Sequence, residues 1–326
     1  MVLLLIIKRG KENRGKLYII SYNNYIGEEL KVRKKDWKSN FWDKIIIGVI
    51  VGILVSALPI YSIYSEHLES EHIMSQIDSS LRKADSLQDA GLFEEAIDIY
   101  KGVLEKVSSK KFPDEYAMIQ NNLGIAYGCL ASVKDKEANL KKAINAFQEA
   151  LKIKTVESHP IDYATTQNNL GNAYHGLAEV RDKEANLEKA IYAYQEALKI
   201  RIIESYPIDY ATTQNNLGTT YTRLAEVRDK QSNLKKAIHA YQEALKIHTV
   251  ERYPSDYAMT QNNLGTAYRG LAEERDKEAN LEKAIYAYQE TLKIYTVESY
   301  STEYATTQSN LGNAYLDLAE VRKVNR

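Results

Sequence analysis

A single cysteine, Cys129, stands in the whole 326-residue chain, which excludes an internal disulfide framework and any zinc site built from several thiolates of one chain. Histidine is scarce too. None of the six, His67, His72, His159, His175, His239 and His248, has another at i+3 or i+4, the spacing for joint metal ligation on a helix. His67 and His72 come closest and read as part of a solvated acidic stretch, EHLESEH at residues 66–72. Neither a glycine-rich phosphate loop nor a nucleophile elbow occurs. Cys129, without a recurring histidine or acid around it, reads as a bystander thiol. No catalytic residue, metal or cofactor is expected, and the chain is read as a non-enzyme.

The chain also lacks a basic stripe. Its formal charge of −1 hides an asymmetry: residues 1–44 hold eleven Lys or Arg against five acids, a net of +6, so the remainder carries −7. A nucleic-acid partner is therefore not expected. Proline is sparse, and Pro160, Pro207 and Pro254 fall 47 residues apart, one turn per unit rather than a Pro-rich linker.

One long uncharged run is present. Residues 45–64, IIIGVIVGILVSALPIYSIY, contain twelve Ile, Leu or Val, and at about 1.5 Å per residue they reach the thickness of a bilayer core. They read as a transmembrane helix between a basic segment, residues 1–44, and a juxtamembrane stretch, residues 65–78. Trp37, Phe41 and Trp42 flank one end and Tyr61 and Tyr64 the other, as interfacial aromatics do. Lys31, Arg33, Lys34, Lys35, Lys38 and Lys44 precede the run, so the positive-inside rule places the N-terminus in the cytoplasm and the rest of the chain outside, in a single-pass protein. Gly48, Gly52 and Ser56 recur at four-residue intervals on one helix face and would let two such helices pack as a homodimer. Upstream, residues 16–22 and the apolar start of the chain, residues 1–7, either form a hairpin around KRGKENRG or reflect a start codon placed too far upstream.

The organising feature is YATTQNNLGNAY at residues 163–174, which returns from Tyr116, Tyr210, Tyr257 and Tyr304, always at an interval of 47 residues. A fixed period of this kind marks a solenoid whose units bury their apolar faces only by stacking. Residues 79–326 are read as an all-α array of antiparallel helix pairs, five pairs and a last single helix able to act as a cap. Gly91 should end the first helix of the first pair. In the unit that follows Pro160, one helix starts at that proline; its partner, NLEKAIYAYQEALKI, has Asn186 as a plausible N-cap and Leu187, Ala190, Ile191, Tyr194 and Leu198 as its apolar stripe. The charged connection EVRDKE, residues 179–184, reads as solvated.

Leu170, Gly171, Tyr174, Ala190, Tyr194 and Ala197 resemble the tetratricopeptide repeat, in which Leu-Gly and a following Tyr on one helix answer Ala, an aromatic and Ala on the next. The likeness covers residues 79–326. The unit is longer than the family's usual length of about 34 residues, and Gln167 stands where a bulky apolar residue is usual. HPIDYATTQNNLG, from His159, is similar to the longer-repeat branch typified by kinesin light chains. The resemblance implies a right-handed α-solenoid that binds proteins.

In such a solenoid the first helix of each pair lines the concave side. Positions 165, 169, 172 and 176 share one face of that helix, and they read Thr165, Asn169, Asn172 and Gly176. Asn122, Asn169, Asn216, Asn263 and Asn310 make one asparagine per unit, in line. Amides offer donor and acceptor, so the row could hold the backbone of an extended peptide, or tie neighbouring helices together. Asparagine just before the Leu-Gly pair is similarly placed in tetratricopeptide proteins that grip peptides. The family's carboxylate clamp needs groove cations, and only Arg223 and Arg269 fall there. His175-Gly176, Thr222-Arg223, Arg269-Gly270 and Leu316-Asp317 differ where their surroundings agree, which marks them for partner specificity. The expected function is a membrane-anchored scaffold for an extended protein or peptide segment; the alternative is an assembly protein that self-associates through the membrane helix and the end of the solenoid.

Overall fold

The computed structural model describes residues 2–9, 15–22, 35–37 and 41–324. The chain divides into two compact units, Met1–Gln76 and Ile77–Arg326. The first carries strands β1 (Val2–Arg9), β2 (Gly15–Tyr22) and β3 (Lys35–Trp37) in the order β1-β2-β3, with β1 and β2 antiparallel from Val2 against Tyr22 to Arg9 against Gly15. The hairpin is thus present, and the all-helical expectation applies to the second unit alone.

Helix α1 runs over Phe41–Asp89. No break separates residues 45–64 from the stretch at 65–78, which contains neither glycine nor proline to interrupt the helix. Many side chains of residues 45–64 lie outside the described residues, and so does the expected membrane span. Among the described residues no helix is long and apolar enough to cross a membrane. Gly48, Gly52 and Ser56 are exposed on α1, a Cβ at either glycine would meet nothing within 4 Å, and Ser56 Oγ donates to the Ile53 carbonyl at 2.9 Å.

Gly91, at φ +77°, ends α1 with the Leu92 N–H on the Leu87 carbonyl and its own N–H on that of Gln88, a left-handed glycine cap that turns the chain into α2 (Phe93–Leu104). The following helices alternate in two types. The first type comprises α3 (Pro113–Leu130), α5 (Pro160–Leu177), α7 (Pro207–Ala225), α9 (Pro254–Ala272) and α11 (Ser301–Val324). The second comprises α4 (Lys136–Leu151), α6 (Lys183–Leu198), α8 (Lys230–Leu245) and α10 (Lys277–Leu292). The prolines sit in the first turn of their helices, where their missing N–H would be unpaired in any case.

Each second-type helix starts after an aspartate in the left-handed region, Asp135, Asp182, Asp229 and Asp276, at φ between 42° and 46°. Asn186 is therefore not the N-cap. It lies inside α6, buried, and its amide donates back to the Arg181 carbonyl at 2.8 Å, fixing the turn from within; Asn139, Asn233 and Asn280 do the same.

The core of each pair is an interlock of glycine and aromatic ring. Gly124, Gly171, Gly218 and Gly265 face Phe147, Tyr194, Tyr241 and Tyr288, and an added Cβ would fall 2.6 or 2.7 Å from a ring carbon. Where the ring is a tyrosine its hydroxyl finds a partner at the residue that follows the glycine: Asn172 for Tyr194 at 2.7 Å, Thr219 for Tyr241 at 3.2 Å and Thr266 for Tyr288 at 3.2 Å. Opposite Phe147, which has no hydroxyl, that position is Ile125. A buried phenol needs such a partner and a phenyl ring does not.

Candidate functional site

First-type helices pack on their own second-type partners, and they also touch the first-type helix of the next repeat; the described second-type helices do not reach one another to the same extent. The first-type side is consequently the inner side of the stack, and the expected groove residues lie on it. Asn122, Asn169, Asn216, Asn263 and Asn310 are all half-buried there.

Their amides are engaged between repeats. Asn169 Nδ2 donates to Asn121 Oδ1 at 3.5 Å, Asn216 to Asn172 at 3.2 Å, Asn263 to Asn215 at 3.5 Å and Asn310 to Asn262 at 3.4 Å. Most of these bonds are long, near the limit of the interaction. The acceptors Asn121, Asn215 and Asn262, with Asn168, form a second asparagine row that sequence reasoning passed over. Threonine hydroxyls of the following repeat donate into it, from Thr166 to Asn121 and from Thr213 to Asn168, both at 3.2 Å. The doubled Asn in QNNLG was the available signal: the first amide accepts from the next repeat and the second donates to the previous one.

The positions that vary between repeats make contacts from one repeat to the next. His175 Nδ1 lies 2.9 Å from Thr220 Oγ1 of the next repeat, Arg223 pairs with Glu179 of the previous repeat at 2.9 Å, and Arg269 pairs with Asp317 of α11 at 2.8 Å. Glu179 also accepts from Lys136. Burial, and after it the nearby Arg223 guanidinium, pushes the His175 imidazole down to about 4. Both expected groove cations are thus paired within the array. Exposed polar groups on this face include Asn172, Thr212, Thr266, Thr306 and Asn313, with Met118 and Met259 beside them.

One buried position, just after each second-type helix, changes along the array. Lys154 lies 3.1 Å from Asp114 and 3.2 Å from Asp162. Arg201 spans Thr213 at 3.0 Å, Thr165 at 3.2 Å and Asp209 at 3.6 Å. His248 Nδ1 meets Thr260 Oγ1 at 3.1 Å, and burial lowers its proton affinity. Tyr295 donates to the Ser255 carbonyl at 3.5 Å. Among the described residues, no group of three or more His, Cys, Asp or Glu could hold a metal ion.

Residues 164–201 and 258–294 match the family model described as tetratricopeptide repeat. Those matched segments are the pairs α5–α6 and α9–α10. No curated protein matches. Similar solved structures include BtubC from P. vanneervenii, 21% identical over 78% of this chain and 87% of that one, with a TM-score of 0.47. TTC0263, a thermophilic tetratricopeptide-repeat protein of Thermus thermophilus, is 18% identical over 72% of this chain and 98% of that one, at 0.44. A complex of the TPR2AB domain of yeast Sti1 with pHSP90 is 20% identical over 76% and 93%, at 0.30.

Proposed function

We propose that this protein is a membrane-anchored interaction scaffold whose helix-pair array holds an extended protein segment along the inner side of its first-type helices. The observation that carries the reading is the row from Asn169 to Asn310. Each of these amides gives one N–H to the previous repeat, in most cases over a long bond, and keeps the capacity of a second N–H and of its carbonyl oxygen at a half-exposed position. Repeated at a fixed spacing, that capacity suits a peptide backbone whatever its side chains.

Replacing Asn169, Asn216 and Asn263 together with Ala should weaken capture of a bound segment by about tenfold or more, since each hydrogen bond contributes about 0.5–1.5 kcal/mol. Helix content and melting temperature, read on the same variant, separate that loss from loosening of the stack. Undiminished capture would sink the reading.

The anchor rests on the uncharged run at residues 45–64 and the cations before it. A reporter fused after Arg326 should be active only on the far side of the membrane from the N-terminus. Cytoplasmic activity would overturn that topology.

A further inference from the structure

Between α3 and α5, on the inner side, lies a cavity of about 260 Å³ lined by the apolar Ala117 and Met118 together with Asp114, Glu115 and Asp162. Three carboxylates face a single ammonium there, that of Lys154, which is buried and held between Asp114 and Asp162. The His159 imidazole also reaches Asp114, with Nε2 at 3.0 Å. Whether that ring is neutral or protonated, the negative charge is in excess.

The next repeat shows why the space is open. There Arg201 replaces Lys154, and its planar guanidinium spans from Thr213 to Thr165, the counterparts of Thr166 and Met118. A lysine is a single point of charge and cannot make both contacts. Drawn to Asp114 and Asp162, Lys154 leaves the Met118 side unfilled.

We infer that this cavity receives a lysine side chain of the extended segment, its aliphatic stem over Ala117 and Met118 and its ammonium among Asp114, Glu115 and Asp162. The inference rests on the groove reading above and adds the chemistry of the partner: a basic segment, registered on the array at its α3–α5 step. A cation with a long apolar stem matches a site that offers both apolar groups and carboxylates.

The test uses the full chain in non-ionic micelles and the fluorescence anisotropy of three labelled peptides of equal length, alternating lysine–glycine, serine–glycine and glutamate–glycine. The lysine peptide should bind about tenfold more tightly than the serine peptide. Lys154→Arg should remove most of that preference by filling the cavity. Because it keeps the charge, general attraction between a basic peptide and an acidic array is unchanged by it. Asp162→Asn should lower lysine-peptide affinity by about fivefold and leave serine-peptide affinity unaltered. Equal binding of lysine and serine peptides, or a preference that survives Lys154→Arg with melting unchanged, would overturn the inference and leave the groove reading standing. Binding of none of the three would remove both.

Discussion

Gly218→Ala should destabilise the array by about 2 kcal/mol, and Gly312→Ala, the same change at the equivalent position of α11, should stabilise it by up to about 1 kcal/mol. At Gly218 the new Cβ would stand 2.7 Å from Tyr241 Cε1 and 2.8 Å from Cδ1. The ring cannot slide away, because Tyr241 is buried in the core and its hydroxyl is held by Thr219. Overpacking of this kind exceeds the helix propensity gained from alanine. At Gly312 nothing lies within 4 Å of the added atom, so the propensity term acts alone. Urea titrations of residues 77–326, followed by circular dichroism, would read both shifts. Midpoints that move in the same direction would show that the glycine–ring contact does not set the packing of a pair.

That contrast bears on what a single sequence reveals. The repeat period, the prolines that begin the first-type helices and the stripe containing Ala190 and Tyr194 all follow from spacing, because local periodicity dictates which face is buried. The start of α6 does not follow from spacing. Asp182 and Asn186 are both capping residue types, and only the left-handed φ of Asp182 decides between them, leaving Asn186 to bond backward from inside the helix. The inner face was legible as a face, since Asn169 and its counterparts recur in line. Their partners were not, because the register by which one repeat rests on the next is set by contacts 44 to 48 residues apart, such as Asn216 with Asn172 and Asn169 with Asn121. For the same reason the variable pairs at His175, Arg223 and Arg269 read as ligand contacts, whereas stacking makes them contacts between repeats. A difference between repeats can be a correspondence within the chain. Phe147 with Ile125, against Tyr194 with Asn172, is the apolar version of that rule.

The second large effect is expected from acid. His175 is a link between repeats, and its Nδ1 meets a Thr220 hydroxyl that itself donates to the Asn216 carbonyl at 2.8 Å. Since the hydroxyl proton is committed to Asn216, His175 is the donor, in its neutral Nδ1–H form. A second proton would have to enter at Nε2, in a half-buried position near Arg223, where Glu179 already serves Arg223 and Lys136. The folded imidazole therefore titrates at about 4, against an ordinary 6.5. As pH falls through 6.5 the unfolded chain takes up a proton that the folded chain refuses. Stability from this group is complete above that value, declines with falling pH to about 4 and changes no further below it. At about 1.4 kcal/mol per unit, and allowing for partial solvent screening, the loss amounts to about 2 kcal/mol. His175→Gln keeps an N–H donor for Thr220 and removes the titration. Near neutrality the variant should lie within about 1 kcal/mol of the parent, and the two stability curves should converge or cross as the pH is lowered to 4. His248, also held neutral by burial, is present in both proteins and cancels in the difference. Parallel curves across that window would show that His175 is open to protonation in the folded array, and would remove it as an acid-sensitive link in the stack.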